Sequence, residues 1–229
     1  VGDYLSQFLR LFESYDVLGA FWVNIQLTFW AAILALVIGT VLALMRISPI
    51  PSLQWAGATY VTLFRNTPLT IIMVFLTLGV WGQLKIQLAD DFPSNFFRFA
   101  VLGLAVYHAA FVCEAIRSGV NTVPIGQAEA ARAIGLSFLP AARIVILPQA
   151  FRGSVAPLGN VLIALIKNST VAAAAGVATE TSSLMKTMIE FDSDVIIAIF
   201  LTFAIGYVIL VIPVGLATTA LSRRLAVKR

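Results

Sequence analysis

No charged residue falls between Asp16 and Arg46. Within that stretch LTFWAAILALVIGTVLALM, residues 27 to 45, fills the roughly 20 positions with which an α-helix crosses a bilayer. A second charge-free run extends from Val195 to Ser222. Only 11% of the residues are charged and 60% are hydrophobic, whereas a soluble globular domain carries about 25% charged residues. Water is therefore not the main solvent of this chain. The pattern reads as an integral, all-α membrane protein in contact with lipid.

The formal net charge of +4 and a pI near 9.5 do not point to nucleic acid. The basic residues stand at the ends of apolar runs rather than in one solvated patch. Cys113 is the only cysteine, which excludes a disulfide framework within the chain. His108 is likewise the only histidine, and it has no companion at ligand spacing. It reads as a packed helix histidine, and no metal site or bound cofactor is expected. The N-terminal stretch lacks a basic n-region, so the first span is expected to act as its own insertion signal.

Five spans are expected, at about 22 to 45, 58 to 84, 97 to 118, 154 to 178 and 194 to 220, within ~2–4 residues at each end. They form a single transmembrane domain over residues 1 to 229. The second is irregular near its start, where RNTPLT carries a polar bend and Pro68. One set of loops and the C-terminus hold Arg46, Arg65, Arg117, Arg132, Arg143, Arg152, Arg223, Arg224, Lys228 and Arg229. The opposite side holds Arg10, Lys85, Arg98 and Lys186, together with most of the carboxylates, among them Asp3 and Glu180. By the bias of Lys and Arg toward the cytoplasm, the N-terminus lies outside and the C-terminus inside. Residues 119 to 153 are then cytoplasmic. An odd number of spans argues against a complete inverted repeat, and a lone five-helix chain has few faces with which to enclose a pathway. A second subunit is expected.

The 119–153 loop contains a small helical module. Pro124 and Gly126 open it, QAEAARAI supplies strong helix formers, and Glu129 is expected in the first turn, where the helix dipole favours an anion. Gly135 is expected to end the helix in a left-handed turn. A second helix is expected from a Ser137 cap through AARIVI, stopping at Pro148. Ala128, Ala130, Ala131 and Ala133 leave little bulk on the first helix, so a partner can approach closely while Glu129 and Arg132 offer polar contacts. On the residues alone, docking to a protein and lying on lipid headgroups remain equally open.

EAARAIGLSFLPAARIVILP resembles the EAA loop of permease subunits of ATP-binding-cassette importers, with Glu129, Ala130, Ala131, Gly135, Ile144 or Ile146, Leu147 and Pro148 in the matching places. FRNTPLT, EAIRSGV, VPIGQAEAA, ILPQAFRGSVAPLGN and IKNST also resemble the polar amino-acid branch of that family, in order, over residues 22 to 222. RSGVNTV, GQAEAARAIGL and the terminal RLAVKR are most similar to actinobacterial glutamate permeases. The resemblance implies a type I importer fold, a coupling helix carrying Glu129, Ala130, Ala131, Arg132 and Gly135, and a multi-pass subunit of the plasma (inner) membrane. It further implies a pair of ATPase subunits holding ATP and Mg, a second permease subunit of the same or a homologous chain, and an extracytoplasmic amino-acid-binding protein. The chain has no G-x-x-x-x-G-K-[ST] phosphate loop of its own, so it is expected to be a transport subunit rather than an enzyme.

Polar residues inside spans are costly and mark internal faces. Glu114 and Arg117, three apart on one helix, can pair as a structural bridge or a cytoplasmic gate contact. Arg65 and Asn66 read as anchors at a helix entrance, where Arg65 can snorkel to water. Lys167, Asn168, Ser169 and Thr170 interrupt the fourth span, with Asn160 earlier in the same segment. They are candidates to line the pathway, or to form a hinge or subunit-interface lock. The rival reading is an ion-coupled secondary transporter or channel for small polar solutes, disfavoured by the odd span count and by the lack of a carboxylate chain within the spans. A membrane-embedded enzyme would need a catalytic constellation that one His and one Cys do not provide.

Overall fold

A computed structural model describes residue 8 and residues 10 to 225. Asp3, Lys228, Arg229 and the last four residues of the RLAVKR tail lie outside the described residues. Every regular element among those described is helical. The long helices are α1 (Val17–Ile47), α4 (Phe92–Val120), α7 (Leu147–Asn168) and α9 (Ile196–Leu225). Between them stand α2 (Pro51–Asn66), α3 (Leu69–Val74), α5 (Ile125–Ala133), α6 (Phe138–Ala141) and α8 (Thr181–Phe191). Four helical segments are long and apolar enough to cross a membrane, Val17–Ile47, Phe92–Val120, Phe138–Ala175 and Ser193–Leu225. A fifth results if α2 and the helix beginning at Leu69 are counted as one broken span.

The element ends follow local chemistry. Helix α1 closes with Arg46 in its last turn, where a cation suits the dipole, and Pro49 and Pro51 follow. Pro51 then opens α2, the position at which a missing N–H is harmless. The expected single span over 58 to 84 is in fact broken: Thr67 is extended, φ −101° and ψ 129°, because the residue before a proline is driven out of the helical region. Beyond Pro68, α3 widens into a π-helical stretch, Phe75–Gln83. At the start of α4 the Asp91 carboxylate accepts the Ser94 N–H at 2.8 Å, which holds that carboxyl below its usual range.

The chain forms two compact units. The first comprises Val1–Ala31, Leu69–Leu104 and Leu165–Pro213. Its apolar cluster joins Leu11 and Val17 to Met188, Val195, Ile199 and Phe203, and the Tyr15 hydroxyl reaches Asp192 at 2.7 Å. The second comprises Ala32–Pro68, Ala105–Ala164 and Val214–Arg229. Here small residues let helices approach: Ala35, Leu42 and Ala43 of α1 and Val61 of α2 pack with Ala109, Ala110, Val112, Cys113 and Ile116 of α4. Leu147, Phe151, Leu158 and Val161 of α7 cover that cluster. His108 is buried, its ring 5.1 Å from that of Tyr107, as a packed histidine should be.

Gly119 marks a close approach of α4 to α7. A Cβ there would run into the Ser154 hydroxyl and the backbone of Ala150. Backbone cannot yield as a side-chain tip does, so Gly119→Val should destabilise the purified protein by about 1–3 kcal/mol. Gly126, with nothing within 4 Å of an added Cβ, should accept alanine within about 0.5 kcal/mol. Thermal unfolding in detergent compares the two, and equal losses would contradict this packing.

Candidate functional site

The segment expected to act in coupling is built by α5 and its exit turn. Helix α5 starts one residue after Pro124, so Glu129 stands in the second turn rather than the first, and no acidic residue occupies the first. The N-terminal dipole is therefore not what holds Glu129. The exit is as expected: Gly135 has φ +86°, its N–H donates to Arg132 O at 2.9 Å, and the Leu136 N–H donates to Ala131 O at 3.0 Å. This paired closure satisfies carbonyls that the helix end would otherwise orphan, and only glycine adopts its backbone without strain.

Glu129, Ala130, Arg132 and Gly135 are exposed, whereas Ala131 is buried at 3%. The alanine face is thus divided: Ala131 seats α5 on its own chain and Ala130 is turned outward. Exposed Ile125 and Ile134 stand at the two ends of the helix. Those apolar ends escaped a reading that attended only to the alanines.

The second helix differs from expectation in two ways. Ser137 is extended but its side chain makes no capping bond to α6. The helix also does not stop at Pro148. A π-helical turn, Ala142–Ile146, joins α6 to α7, and Pro148 becomes the second residue of α7. A widened turn accommodates the missing N–H and the ring of Pro148 without ending the helix.

Glu114 is the centre of a charged cluster. It pairs with Arg117 at 3.3 Å, the expected i, i+3 bridge, and also with Arg46 of α1. A cleft of about 380 Å³ lies beside this cluster, lined by Arg46, Val61, Thr62, Arg65, Asn66, Phe111 and Glu114. Arg65 sits in the last turn of α2, with its guanidinium 5.7 Å from the Phe111 ring centre. The fold thus gathers Arg65, Asn66 and Glu114, which the sequence offered as separate features, and adds Arg46, which was legible only as a helix-end charge.

The interruption in the fourth span is a helix change. Lys167 is exposed in the last turn of α7, and Asn168 ends it. Asn160 is exposed earlier on the same helix. Ser169–Ala175 continue as 3₁₀ helix, closed by Gly176 at φ +85°. The hydroxyls of Ser169 and Thr170 donate to Ile166 O at 2.7 Å and Lys167 O at 2.9 Å, so side chains take up carbonyls at the break.

Ser169 belongs to a buried cluster that sequence reading missed. The Asn24 amide of α1 donates to Ser169 Oγ at 2.8 Å and to Tyr207 Oη at 3.0 Å, and it reaches Glu180 Oε2 at 3.4 Å. Its carbonyl oxygen accepts the Thr181 N–H at 2.9 Å. The Glu180 carboxylate in turn accepts the Ser182 and Ser183 N–H groups, capping α8. Glu180 is fully buried, and burial pushes its carboxyl above the usual carboxylate range against the opposing pull of those N–H bonds. The available signal was Asn24, a strongly polar side chain in a charge-free span.

No group of three or more His, Cys, Asp or Glu side chains gathers among the described residues in a way that could hold a metal ion. A membrane-spanning helical chain, with a short outward-turned helix in a loop and polar breaks within its spans, is the architecture of a transport subunit. Residues 35 to 227 match the family described as the binding-protein-dependent transport system inner membrane component, and the chain belongs to that family. It is a multi-pass permease subunit of the inner membrane, and ATP hydrolysis belongs to partner chains. The glutamate transport system permease protein GluC of Corynebacterium glutamicum is 47% identical over 219 residues, 93% of this chain and 96% of the relative. A solved amino acid ABC transporter with histidines superposes at TM-score 0.74 with 25% identity, over 97% of this chain and 95% of its own. The inward-facing MetNI methionine ABC transporter shares the fold at TM-score 0.71, with 21% identity over 92% of this chain and 96% of its own.

Removing Glu114 strands two guanidinium groups, whereas removing Arg117 strands none. Glu114→Gln should destabilise the protein by about 1–2 kcal/mol, a figure already reduced for partial exposure, and Arg117→Gln by less than about 1 kcal/mol. Thermal melts of the two variants test the order; the reverse order would dismiss Arg46 as Glu114's main partner.

Proposed function

We propose that this chain is the permease subunit of an ATP-driven importer of a polar amino acid, with glutamate as its cargo. The observation that carries the cargo is the 47% identity with a glutamate permease over almost the whole of both chains. Residues 1 to 229 act as one permease domain, with the N-terminus outside and the C-terminus in the cytoplasm, a reading supported by the bias of Lys and Arg. Two such subunits, identical or homologous, enclose the pathway. A binding protein delivers the amino acid from outside, as the family's description implies. ATP and Mg are held by a pair of cytoplasmic ATPase subunits.

Helix α5 is the part that engages the ATPase. Glu129, Ala130 and Arg132 face outward, and Gly135 sets the angle at which the chain leaves. Ala131 supports the helix from behind. Exposed Ile125 and Ile134 supply apolar ends that suit a shallow groove. Arg46, Glu114 and Arg117, beside Arg65 and Asn66, form a gate cluster, in which the Glu114 carboxylate between the guanidinium groups of Arg46 and Arg117 gives contacts that can be exchanged as subunits move. Lys167, Asn168, Ser169 and Thr170, with Asn160, mark the pathway-facing break.

Three experiments test this. In proteoliposomes, glutamate uptake should require the ATPase, ATP and the binding protein together; uptake driven by an ion gradient alone would overturn the proposal. A Cys at exposed Ala130 should crosslink to the ATPase subunit, while one at buried Ala131 should react about tenfold less, as its exclusion from solvent requires. Lys167→Met separates the two readings of the break. Loss of uptake with ATP hydrolysis maintained and binding intact supports a hinge or lock, and loss of binding supports direct contact with the amino acid.

A further inference from the structure

Five side chains from separate parts of the first unit meet in one buried polar cluster. Asn24 comes from α1, Ser169 from the 3₁₀ segment, Glu180 and Thr181 from the start of α8, and Tyr207 from α9. Asn24, Ser169, Glu180 and Thr181 are each at most 1% exposed. The bonds are mutual. Asn24 uses both its amide N–H groups and its carbonyl, and the Tyr207 hydroxyl also bonds Thr181 Oγ1 at 2.6 Å. Beside the cluster, Thr170, Thr181 and Tyr207 line a cavity of about 340 Å³.

A polar cluster of this kind holds its members to one arrangement, because any bond that opens leaves a buried donor or acceptor unmatched. Glu180 makes the constraint one-sided. Its carboxyl caps the first turn of α8 through Ser182 and Ser183 and meets the Asn24 amide from the other side, so tilting α8 away would break these bonds and leave buried polar groups unmatched. Ser169 is the first residue of the helix break and also receives the Asn24 N–H. The cluster therefore joins α8 to the residue at which the fourth span changes from α to 3₁₀ helix.

We propose that Asn24, Glu180 and Tyr207 are positioning residues for transport: they clamp α8 to the Ser169–Ala175 break, so that the two move as one body during the cycle. None of the three touches the cargo. The inference rests on the reading of the break as part of the pathway, because that reading makes its placement matter for uptake. A rigid link of this kind carries a displacement of α8, the helix that the charge bias places outside, directly to the pathway.

The test uses the subunit reconstituted with its ATPase and binding protein. Asn24→Asp sets two carboxylates against each other and removes the amide donors. Glu180→Gln sets two amides together. Each should lower glutamate uptake per ATP hydrolysed about tenfold, the loss expected from a hydrogen bond to a charged group. The double variant Asn24→Asp/Glu180→Gln again pairs one carboxylate with one amide and should recover most of the ratio. A purely structural role would lower uptake and ATP hydrolysis in the same proportion, and that result, or failure of the double variant to recover, would overturn the clamp. Should the single variants not assemble, Tyr207→Phe and the double variant decide on the same ratio. Amide exchange of the unsubstituted protein separates this inference from the pathway reading. Segments 169–176 and 181–191 should exchange in one correlated step, and independent opening would overturn the clamp whatever Lys167→Met does to transport.

Discussion

Everything in this fold depends on a medium that cannot hydrogen-bond. In a bilayer the chain must satisfy its own polar groups, which is why helices carry it across and why each departure from a helix needs a local remedy. The Ser169–Ala175 segment shows the remedy at work. Where α7 tightens to 3₁₀ geometry, the hydroxyls of Ser169 and Thr170 take up the carbonyls of Ile166 and Lys167, and Gly176 closes the end in the left-handed region. Asn24 then donates to Ser169 and also reaches Glu180. A polar break in a span persists because its neighbours over-determine it.

The charged cluster in the second unit follows the same logic with stronger charges. Glu114 would be costly on an apolar helix, and it is held by Arg117 on its own helix and by Arg46 on α1. One carboxylate between two guanidinium groups leaves an excess of positive charge beside a cleft that also contains Arg65. Helix α5 follows a different principle. Ala131 packs inward and Glu129, Ala130 and Arg132 are exposed, and a left-handed turn at Gly135 closes the helix.

Much of this was legible in the residues. Charge-free stretches gave α1 and α9, Gly135 announced a left-handed turn, and the i, i+3 spacing of Glu114 and Arg117 announced their bridge. The misreadings have specific causes. Pro148 looked like a terminator because a proline usually is one, but a π turn ahead of it relieves the clash. Pro68 was expected to bend the second span near its start, and the constraint on Thr67 makes that bend a full break between two helices. Glu129 was placed one turn too early because the helix begins at Ile125, ahead of the QAEAARAI run that was expected to open it. The Asn24–Glu180 contact joins residues 156 positions apart, and no local periodicity encodes such a pairing.

By itself the sequence determined the solvent of the protein, the approximate spans, the turn that closes α5 and the family motifs. These depend on composition, on short-range backbone preferences and on spacing along the chain. Tertiary structure alone decided that Arg46 joins Glu114, that Ala131 faces inward while Ala130 faces out, and that a carboxylate counted among outer-loop charges is fully buried under α8. Those outcomes depend on which helices come within hydrogen-bonding reach, and that is settled by the packing of small residues across distant segments of the chain.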